Sequence, residues 1–185
     1  YLDGAQYNIL SGDPTSAGSS RFYIKADGNI GIGTTSPSAK LDVVGRIGLD
    51  DGNLNVSVGD NAGDAITTGT RNVSLGVSAG TQLNTGSDNI LIGQSSGSAS
   101  TSANKNVGIG PYSLQSLSGS GDTYNVGVGY HTGRLITSGT QNTLVGALAG
   151  DALTTGSSNI AIGKEALTSE DTGSRNVAIG QSALR

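Results

Sequence analysis

The chain has 185 residues, of which 31 are glycine, 13% are charged and none is cysteine. A net charge of −4 without a basic block argues against nucleic acid and anionic membranes as partners. The lack of cysteine excludes disulfides and thiolate zinc sites from these residues. No apolar run approaches the roughly 18 residues of a membrane span, so we expect no membrane insertion.

Residues 1–50 follow a plan of short strands and turns. Arg21–Ala26 and Asn29–Gly33 are strand-like, and the Asp-Gly pair between them is a strong hairpin signal. We interpret this part as a small β-hairpin connector that leads into the rest of the chain. Its other predicted elements are a loop at Ser11–Ser20, a Pro-containing turn at Thr34–Ser38, a strand at Lys40–Val44 and a turn at Asp50–Asn53.

Residues 51–185 repeat the pattern Asn-x-x-aliphatic-Gly every 17 residues, with one step of 19 between Asn106 and Asn125. A fixed period this short indicates one supersecondary unit that stacks on its neighbours. The eighth repeat is truncated at Arg185, and we expect the chain to be a piece of a longer protein. The eight anchor residues, each taken as position 0 of its repeat, are Asn55, Asn72, Asn89, Asn106, Asn125, Asn142, Asn159 and Asn176.

Within each repeat, positions 1 and 3 are almost wholly aliphatic and mainly β-branched, which predicts a strand with one buried face. Position 4 is always glycine, which predicts a turn with positive φ. A second glycine three residues before most anchors predicts another turn, leaving room for two short strands. Each repeat is therefore predicted to be one coil of an all-β parallel β-solenoid or β-roll, with the asparagines stacked in a hydrogen-bonded ladder.

Position 2 lies between the two aliphatic columns and carries no charged residue. We expect this face to be covered by another chain, because a solvated face would carry charged or larger polar residues. An isolated narrow coil should also be marginal, since about three aliphatic side chains per coil must offset the ordering of 17 residues. The position 2 residues are Ser57, Ser74, Leu91, Gly108, Gly127, Leu144, Ala161 and Ala178.

Positions 8 and 11 are predicted to fill one interior slot from either side. In four repeats position 8 is glycine and position 11 is isoleucine or leucine, whereas Leu167 at position 8 is followed by Glu170 at position 11. Two repeats depart from this rule: one has Leu114 and Leu117, and the other has Gly97 and Ser100.

The segment GNIGIGTTSPSAKLDV, from Gly28 to Val43, resembles a connector of phage tail fibres and related secreted fibres. Repeats such as NIAIGKEALTSEDTGSR, from Asn159, are similar to head repeats of trimeric autotransporter adhesins and equally to tail-fibre repeats. The adhesin repeat is shorter than the one found here. The resemblance implies an intertwined homotrimer, with position 2 facing its neighbours about a three-fold axis, and NxxIG is typical of a left-handed parallel β-roll trimer.

We therefore expect a non-enzymatic structural and host-recognition segment of a trimeric phage tail fibre, extracellular and on the virion tail surface. Its partner would be a glycan or protein receptor on the host. The alternative within this class is the head of a bacterial cell-surface adhesin. The alternative from another class is a β-helical polysaccharide lyase or hydrolase, which needs acids and bases clustered in adjacent coils. The acids are instead scattered, at Asp60, Asp88, Asp151, Glu165 and Glu170.

The apparent catalytic motifs are explained by the repeat, and no metal-binding motif is present. Gly76–Gly80 and Gly93–Gly97 match the G-x-S-x-G nucleophile elbow, but they fall in repeat columns that elsewhere lack the serine, and the sequence has one histidine to serve as base. No GGxGxD calcium repeat is present. We expect no catalytic residue, no metal and no cofactor.

One aromatic group breaks the repeat. Positions 5 and 6 of the fourth and fifth repeats are Pro111-Tyr112 and Tyr130-His131, and Tyr124 lies beside the two-residue insertion. Aromatic rings with hydroxyls suit sugar rings, so we take Tyr112, Tyr124, Tyr130 and His131 as a hypothetical glycan platform. The alternatives are a contact between chains or a surface decoration without function.

Overall fold

The computed structural model describes residues 7–9, 22–32, 34, 36–43 and 53–185. These residues form strands and turns, without a helix among them. Contacts divide the chain into two units, Tyr1–Gly48 and Leu49–Arg185, which are described separately. The predicted loop at Ser11–Ser20 and most of the predicted turn at Asp50–Asn53 lie outside the described residues.

The first unit contains a four-stranded sheet in the order β1-β2-β3-β4. The central hairpin is the predicted one, with antiparallel strands joined by a turn in which Gly28 has a φ of 81°. β4 pairs with β3 in parallel, and β1 pairs antiparallel with β2 in a strand that the sequence pattern did not predict. The strands are β1 (Tyr7–Ile9), β2 (Phe22–Ile24), β3 (Ile30–Ile32) and β4 (Leu41–Val43).

The second unit is a parallel β-solenoid, as predicted. A three-residue strand begins directly after each anchor asparagine, and the eight strands form one parallel sheet in chain order. At about 4.8 Å between strands, the sheet extends roughly 34 Å along the solenoid axis. Its strands are β5 (Val56–Val58), β6 (Val73–Leu75), β7 (Ile90–Ile92), β9 (Val107–Ile109), β11 (Val126–Val128), β12 (Thr143–Val145), β13 (Ile160–Ile162) and β14 (Val177–Ile179).

A second strand occurs only around the 19-residue step, where β8 (Ala103–Asn104) pairs in parallel with β10 (Gly121–Asp122). The expectation of two strands in every coil is therefore wrong for the described repeats. In the first coil the N–H groups of residues 67, 68 and 69 all point to the carbonyl of Asn84, at 3.0, 3.4 and 3.2 Å. Such converging turn bonds satisfy the backbone without a ladder of paired strands.

The two faces of the strands are the reverse of those predicted. Position 2 points into the coil, and Ser74, Leu144 and Ala161 there are fully buried. Positions 1 and 3 point outward, and Ile109 and Ile162 are 37% and 39% exposed. A three-residue strand directs one side chain inward and two outward, and the inward residue is small in six of the eight coils and leucine in the other two. The small residues of position 2 thus line the chain's own core instead of facing a neighbouring chain.

The predicted exchange between positions 8 and 11 is found in the second, fifth, sixth and seventh coils. Ile136 and Leu153 at position 11 are fully buried, as is Leu167 at position 8 of its coil, where Glu170 lies on the surface. A Cβ atom added to Gly133 would lie 2.9 Å from Cδ1 of Ile136 and 2.7 Å from Cδ1 of Leu144. These coils therefore hold one large side chain at this level, supplied from either side, whereas the fourth coil buries both Leu114 and Leu117.

Serines at position 7 explain why position 2 is glycine in the fourth and fifth coils. The hydroxyl of Ser96 donates to the Gly108 carbonyl at 3.0 Å, and that of Ser113 donates to the Gly127 carbonyl at 2.9 Å. A Cβ atom at Gly108 would lie 2.7 Å from Oγ of Ser96. The glycine thus makes space for a buried hydroxyl that bonds the next coil.

The anchor asparagines form the predicted single file. The Oδ1 atom of Asn142 accepts the backbone N–H of Asn159 at 3.0 Å and its Nδ2 at 3.1 Å. The Nδ2 atom of Asn142 in turn donates to Oδ1 of Asn125 at 3.0 Å and to the Gly156 carbonyl at 2.9 Å. At the 19-residue step the hydroxyl of Thr123 donates to Oδ1 of Asn106, at 2.8 Å.

Position 4 glycines are required by the approach of neighbouring coils. Gly93 has a φ of 122°, and a Cβ atom there would lie 2.6 Å from the carbonyl carbon of Gly110 and 2.7 Å from its oxygen. Gly121, in the insertion, has a φ of 75° and open space around its Cα. An alanine at Gly121 would therefore suffer only the strain of a left-handed backbone. An alanine at Gly93 would suffer that strain and also collide with the next coil.

Gly93→Ala should destabilise the solenoid more than Gly121→Ala. The Gly121 variant should lose about 1–2 kcal/mol for a left-handed alanine. The Gly93 variant should lose roughly 1–3 kcal/mol more, because the methyl group collides with the next coil. Urea unfolding at one fixed protein concentration measures both, and equal losses would contradict the close approach.

Asn142→Ala should cost at least about 3 kcal/mol of unfolding free energy, because it leaves buried donors and acceptors of Asn125, Gly156 and Asn159 without a partner. Asn84→Ala is the matched control, since that asparagine is exposed. It should lose about 1 kcal/mol or less. The same urea titration compares them, and similar losses would show that the ladder contributes little.

Candidate functional site

Three of the predicted platform residues meet on the surface of the fourth and fifth coils. The rings of Tyr130 and His131 stack with centroids 4.0 Å apart and planes inclined by 13°. Tyr112 stands edge-on to both, with its centroid 5.0 Å from His131 and 6.4 Å from Tyr130. Tyr130 is 50% exposed. We call Tyr112, Tyr130 and His131 the aromatic cluster.

The backbone holds the aromatic cluster in a fixed place. Tyr112 and His131 both occupy position 6, where φ is 59° and 55°. The N–H of Tyr112 donates to the Gln94 carbonyl at 2.8 Å, and that of His131 donates to the Pro111 carbonyl at 3.0 Å. These bonds tie each residue to the preceding coil, so the rings stand on a rigid part of the solenoid.

Tyr124 belongs to a different group of side chains. It directly precedes an anchor and has a φ of 52°. Its hydroxyl accepts from Nζ of Lys105 at 3.2 Å and donates to Oδ2 of Asp122 at 3.0 Å. The Lys105 ammonium also lies 5.1 Å from the centre of the Tyr124 ring, a cation–π distance. The structure thus brings together three of the four predicted residues and places Tyr124 with Lys105 and Asp122.

Charged residues shortly before the second, third, fourth and fifth anchors form two ion pairs, which we call the ion-pair column. Arg71 donates to both carboxylate oxygens of Asp88, at 2.6 and 2.9 Å, and Lys105 contacts Asp122 at 2.6 Å. The hydrogen bonds that the Lys105 ammonium donates to Asp122 and Tyr124 raise the pKa of Lys105 to about 12, and the same ammonium lowers the pKa of Asp122. Because these groups are exposed, they contribute little to stability. Their charges are balanced within the chain, so the column does not itself demand a charged ligand.

The outward face of the eight-stranded sheet is an apolar strip that the sequence analysis assigned to the core. Fifteen of the sixteen residues at positions 1 and 3 are aliphatic, and the exception is Thr143. Parallel sheets are usually covered on both faces, whereas this one is covered by its own coil on one face only. We call it the aliphatic strip, and its members that are at least 37% exposed are Val58, Ile90, Ile109, Val145, Ile160, Ile162, Val177 and Ile179.

The alternation of positions 1, 2 and 3 could not settle which face is the core, because all three columns lack charge. The signal that was available lies elsewhere in the repeat. Positions 8 and 11 supply large buried side chains, and position 2 is small in six of the eight coils. Leucine occupies position 2 only in coils where position 8 is glycine, as Leu91 does beside Gly97 and Leu144 beside Gly150.

The motifs that suggested catalysis remain parts of the surface. Ser78 and Ser95, the centres of the two G-x-S-x-G matches, occupy position 6 with φ of 58° and 55°. The acids Asp88, Asp151 and Glu165 contact Arg71, Arg134 and Lys164 respectively. Among the residues described, no three of His, Asp and Glu gather as metal ligands.

No helix within the described ranges is long and apolar enough to cross a bilayer. Comparison of the chain with protein-family models, with curated proteins and with solved structures gave no match. The surface features that bear on function are the aliphatic strip, the aromatic cluster and the surfaces beside them.

Proposed function

We propose that this chain is a non-enzymatic structural and host-recognition segment of a trimeric phage tail fibre. The observation that carries the proposal is the aliphatic strip, an apolar face that runs along all eight strands. Three copies would pack their strips around a common axis parallel to the solenoid. The interface differs from the one expected from the sequence, because it uses positions 1 and 3 in place of position 2.

A second copy of the chain fits the strip better than an unrelated partner does. The strip carries ridges at the spacing of the strands, about 4.8 Å, over roughly 34 Å. The ridges of a partner can fit between these ridges over the whole length only if they have the same spacing along the axis. A second copy of the chain has that spacing because its strands are the same. Exposed charges would prevent such packing, and the strip carries none.

The surroundings of the strip resemble the rim of a protein interface. The ion-pair column of Arg71, Asp88, Lys105 and Asp122 borders it on the side of the anchors. Interfaces commonly combine an apolar centre with a polar, solvent-accessible rim. Contiguous apolar patches beyond a few hundred Å² on soluble proteins usually mark interaction sites. The arrangement therefore supports burial of the strip in an assembly.

Trimer and tail fibre come from the sequence resemblance at Gly28–Val43 and in the repeats. A strip two side chains wide suits a three-fold axis, where each copy presents one narrow ridge to the centre. The placement that follows is extracellular, on the virion tail surface. The head of a bacterial surface adhesin has the same architecture, and neighbouring tail genes or a C-terminal membrane anchor in the parent gene would distinguish the two.

Host recognition is assigned to the aromatic cluster. Tyr112, Tyr130 and His131 present ring edges and hydroxyls on a rigid surface, a combination that suits the apolar faces and hydroxyls of a sugar. Three copies around one fibre would raise a weak affinity per site through avidity. A β-helical polysaccharide lyase or hydrolase is less well supported, because Asp88, Asp151 and Glu165 each contact a basic side chain.

The trimer is tested with two aspartate substitutions of equal exposure. Ile109 in the aliphatic strip is 37% exposed, and Leu135, which lies outside it, is 36% exposed. Light scattering of the unmodified chain should give three times the chain mass of 18.3 kDa. Ile109→Asp should lower this mass while circular dichroism stays that of a β-solenoid, because the side chain lies outside the core. Leu135→Asp should remain a trimer.

Two results would contradict the proposal. One is a folded monomer of the unmodified chain at micromolar concentration. The other is a trimer that Ile109→Asp leaves intact, which would place the interface on another surface.

A further inference from the structure

A polar groove lies on the solenoid surface across the second, third and fourth coils. It is open to solvent and has a volume of about 450 Å³. Its wall comes from positions 6, 9 and 10 of the repeat, so equivalent positions recur along the axis at about the strand spacing of 4.8 Å. The lining residues that matter here are Ser78, Gln82, Ser95, Ser98, Gln115 and Ser116.

The groove leads toward the aromatic cluster. The position 6 column passes through Ser78 and Ser95 and continues, in the fourth coil, with Tyr112. The N–H of Tyr112 donates to the carbonyl of Gln94, the residue directly before Ser95, at 2.8 Å. The position 9 column continues beyond Gln115 with Arg134, whose Nε donates to Asp151 at 3.0 Å. One end of the groove is thus bordered by an aromatic ring and a neutralised ion pair.

The chemistry of the wall selects a neutral, hydroxylated ligand. Apart from the methyl group of Ala99, the lining side chains carry hydroxyls or amides, without a charge or a large apolar group among them. In the described part of the chain, no side-chain hydrogen bond holds Gln82 or Gln115. A glutamine amide offers two donors and one acceptor, which match the paired donor and acceptor character of sugar hydroxyls.

Other ligand classes fit this wall less well. An anionic ligand would need a free cation, but the nearest one in the position 9 column, Arg134, already contacts Asp151. A lipid or apolar peptide would need a hydrophobic surface to cover, and hydroxyls and amides lose hydrogen bonds to water when such a ligand covers them.

We propose that this groove binds a neutral oligosaccharide that lies parallel to the solenoid axis, with one sugar ring packed against Tyr112. The amides of Gln82 and Gln115 hydrogen-bond its hydroxyls, and the position 6 serines of adjacent coils, Ser78 and Ser95, bond successive sugar units. This inference rests on the host-recognition part of the proposed function and gives it a ligand class. It extends the proposed binding site from the aromatic cluster, on the fourth and fifth coils, to the second and third coils.

The test uses the purified chain and a panel of neutral glucan, mannan and galactan hexasaccharides, with sialyllactose as the anionic probe. Saturation-transfer NMR and isothermal calorimetry should detect at least one neutral hexasaccharide at millimolar concentration or below. Gln82→Ala with Gln115→Ala should weaken binding by about tenfold, the loss expected for two hydrogen bonds. Tyr112→Ala should also weaken it, and Ser98→Trp should block the groove.

Gln181→Ala is the control, because this glutamine is exposed and lies outside the groove. It should leave binding unchanged. Circular dichroism confirms that each variant is folded. The proposal is overturned if no neutral hexasaccharide binds, if sialyllactose binds more tightly, or if the double glutamine variant and Ser98→Trp, both folded, bind as the unmodified chain does.

Light scattering on the same samples separates this inference from the trimer. A trimer that binds no neutral oligosaccharide contradicts the groove and leaves the structural role intact. A monomer that binds one, and loses it in the groove variants, supports the groove and contradicts the trimer. Adsorption of the trimer to host cells that the groove variants do not change would place the receptor site elsewhere and contradict the groove.

Discussion

The asparagine ladder is the interaction on which the rest of the solenoid depends. Six of the eight side chains close their own coil by donating to a carbonyl 14 residues ahead, as Asn142 does to Gly156, and also accept from the next anchor. At the 19-residue step Asn106 donates instead to the Asn104 carbonyl. One residue type therefore fixes both the size of the coil and its register on the neighbour. Because these groups are buried, a broken rung leaves several donors and acceptors unsatisfied at once. This explains why the anchor never varies within the chain.

The ladder brings the coils so close together that glycine is required at position 4, where a Cβ atom would meet the next backbone. It also leaves a narrow interior, which in most coils holds one large side chain at the level of positions 8 and 11. The coil adapts by exchange: Leu167 enters from position 8 while Glu170 stays outside, and Gly133 makes room for Ile136. Ser96 and Gly108 exchange volume in the same way, with a hydroxyl where a methyl group would collide.

The sequence was sufficient to predict the parallel solenoid, the single file of asparagines and the shared slot, because each depends on residue identity at a fixed spacing. It was insufficient to predict which strand face is inside. Val73 and Leu75 look like core residues and Ser74 like a surface residue, yet the structure buries Ser74. Tyr124 was grouped with Tyr112 because both lie near the insertion. Position in the repeat was the better guide, since Tyr112 follows a strand whereas Tyr124 precedes an anchor.

The positions of the repeat differ in whether the backbone conformation or the side-chain type is restricted. Position 6 requires a left-handed backbone but accepts Ser78, Tyr112, His131 or Glu165, so its side chains are free to vary with a ligand. Positions 1 and 3 have no such freedom, although they lie outside the core. Strand propensity alone would admit threonine or tyrosine there as readily as valine, but fifteen of the sixteen residues are aliphatic. A restriction that the chain's own packing does not require is the expected mark of a surface that another chain covers.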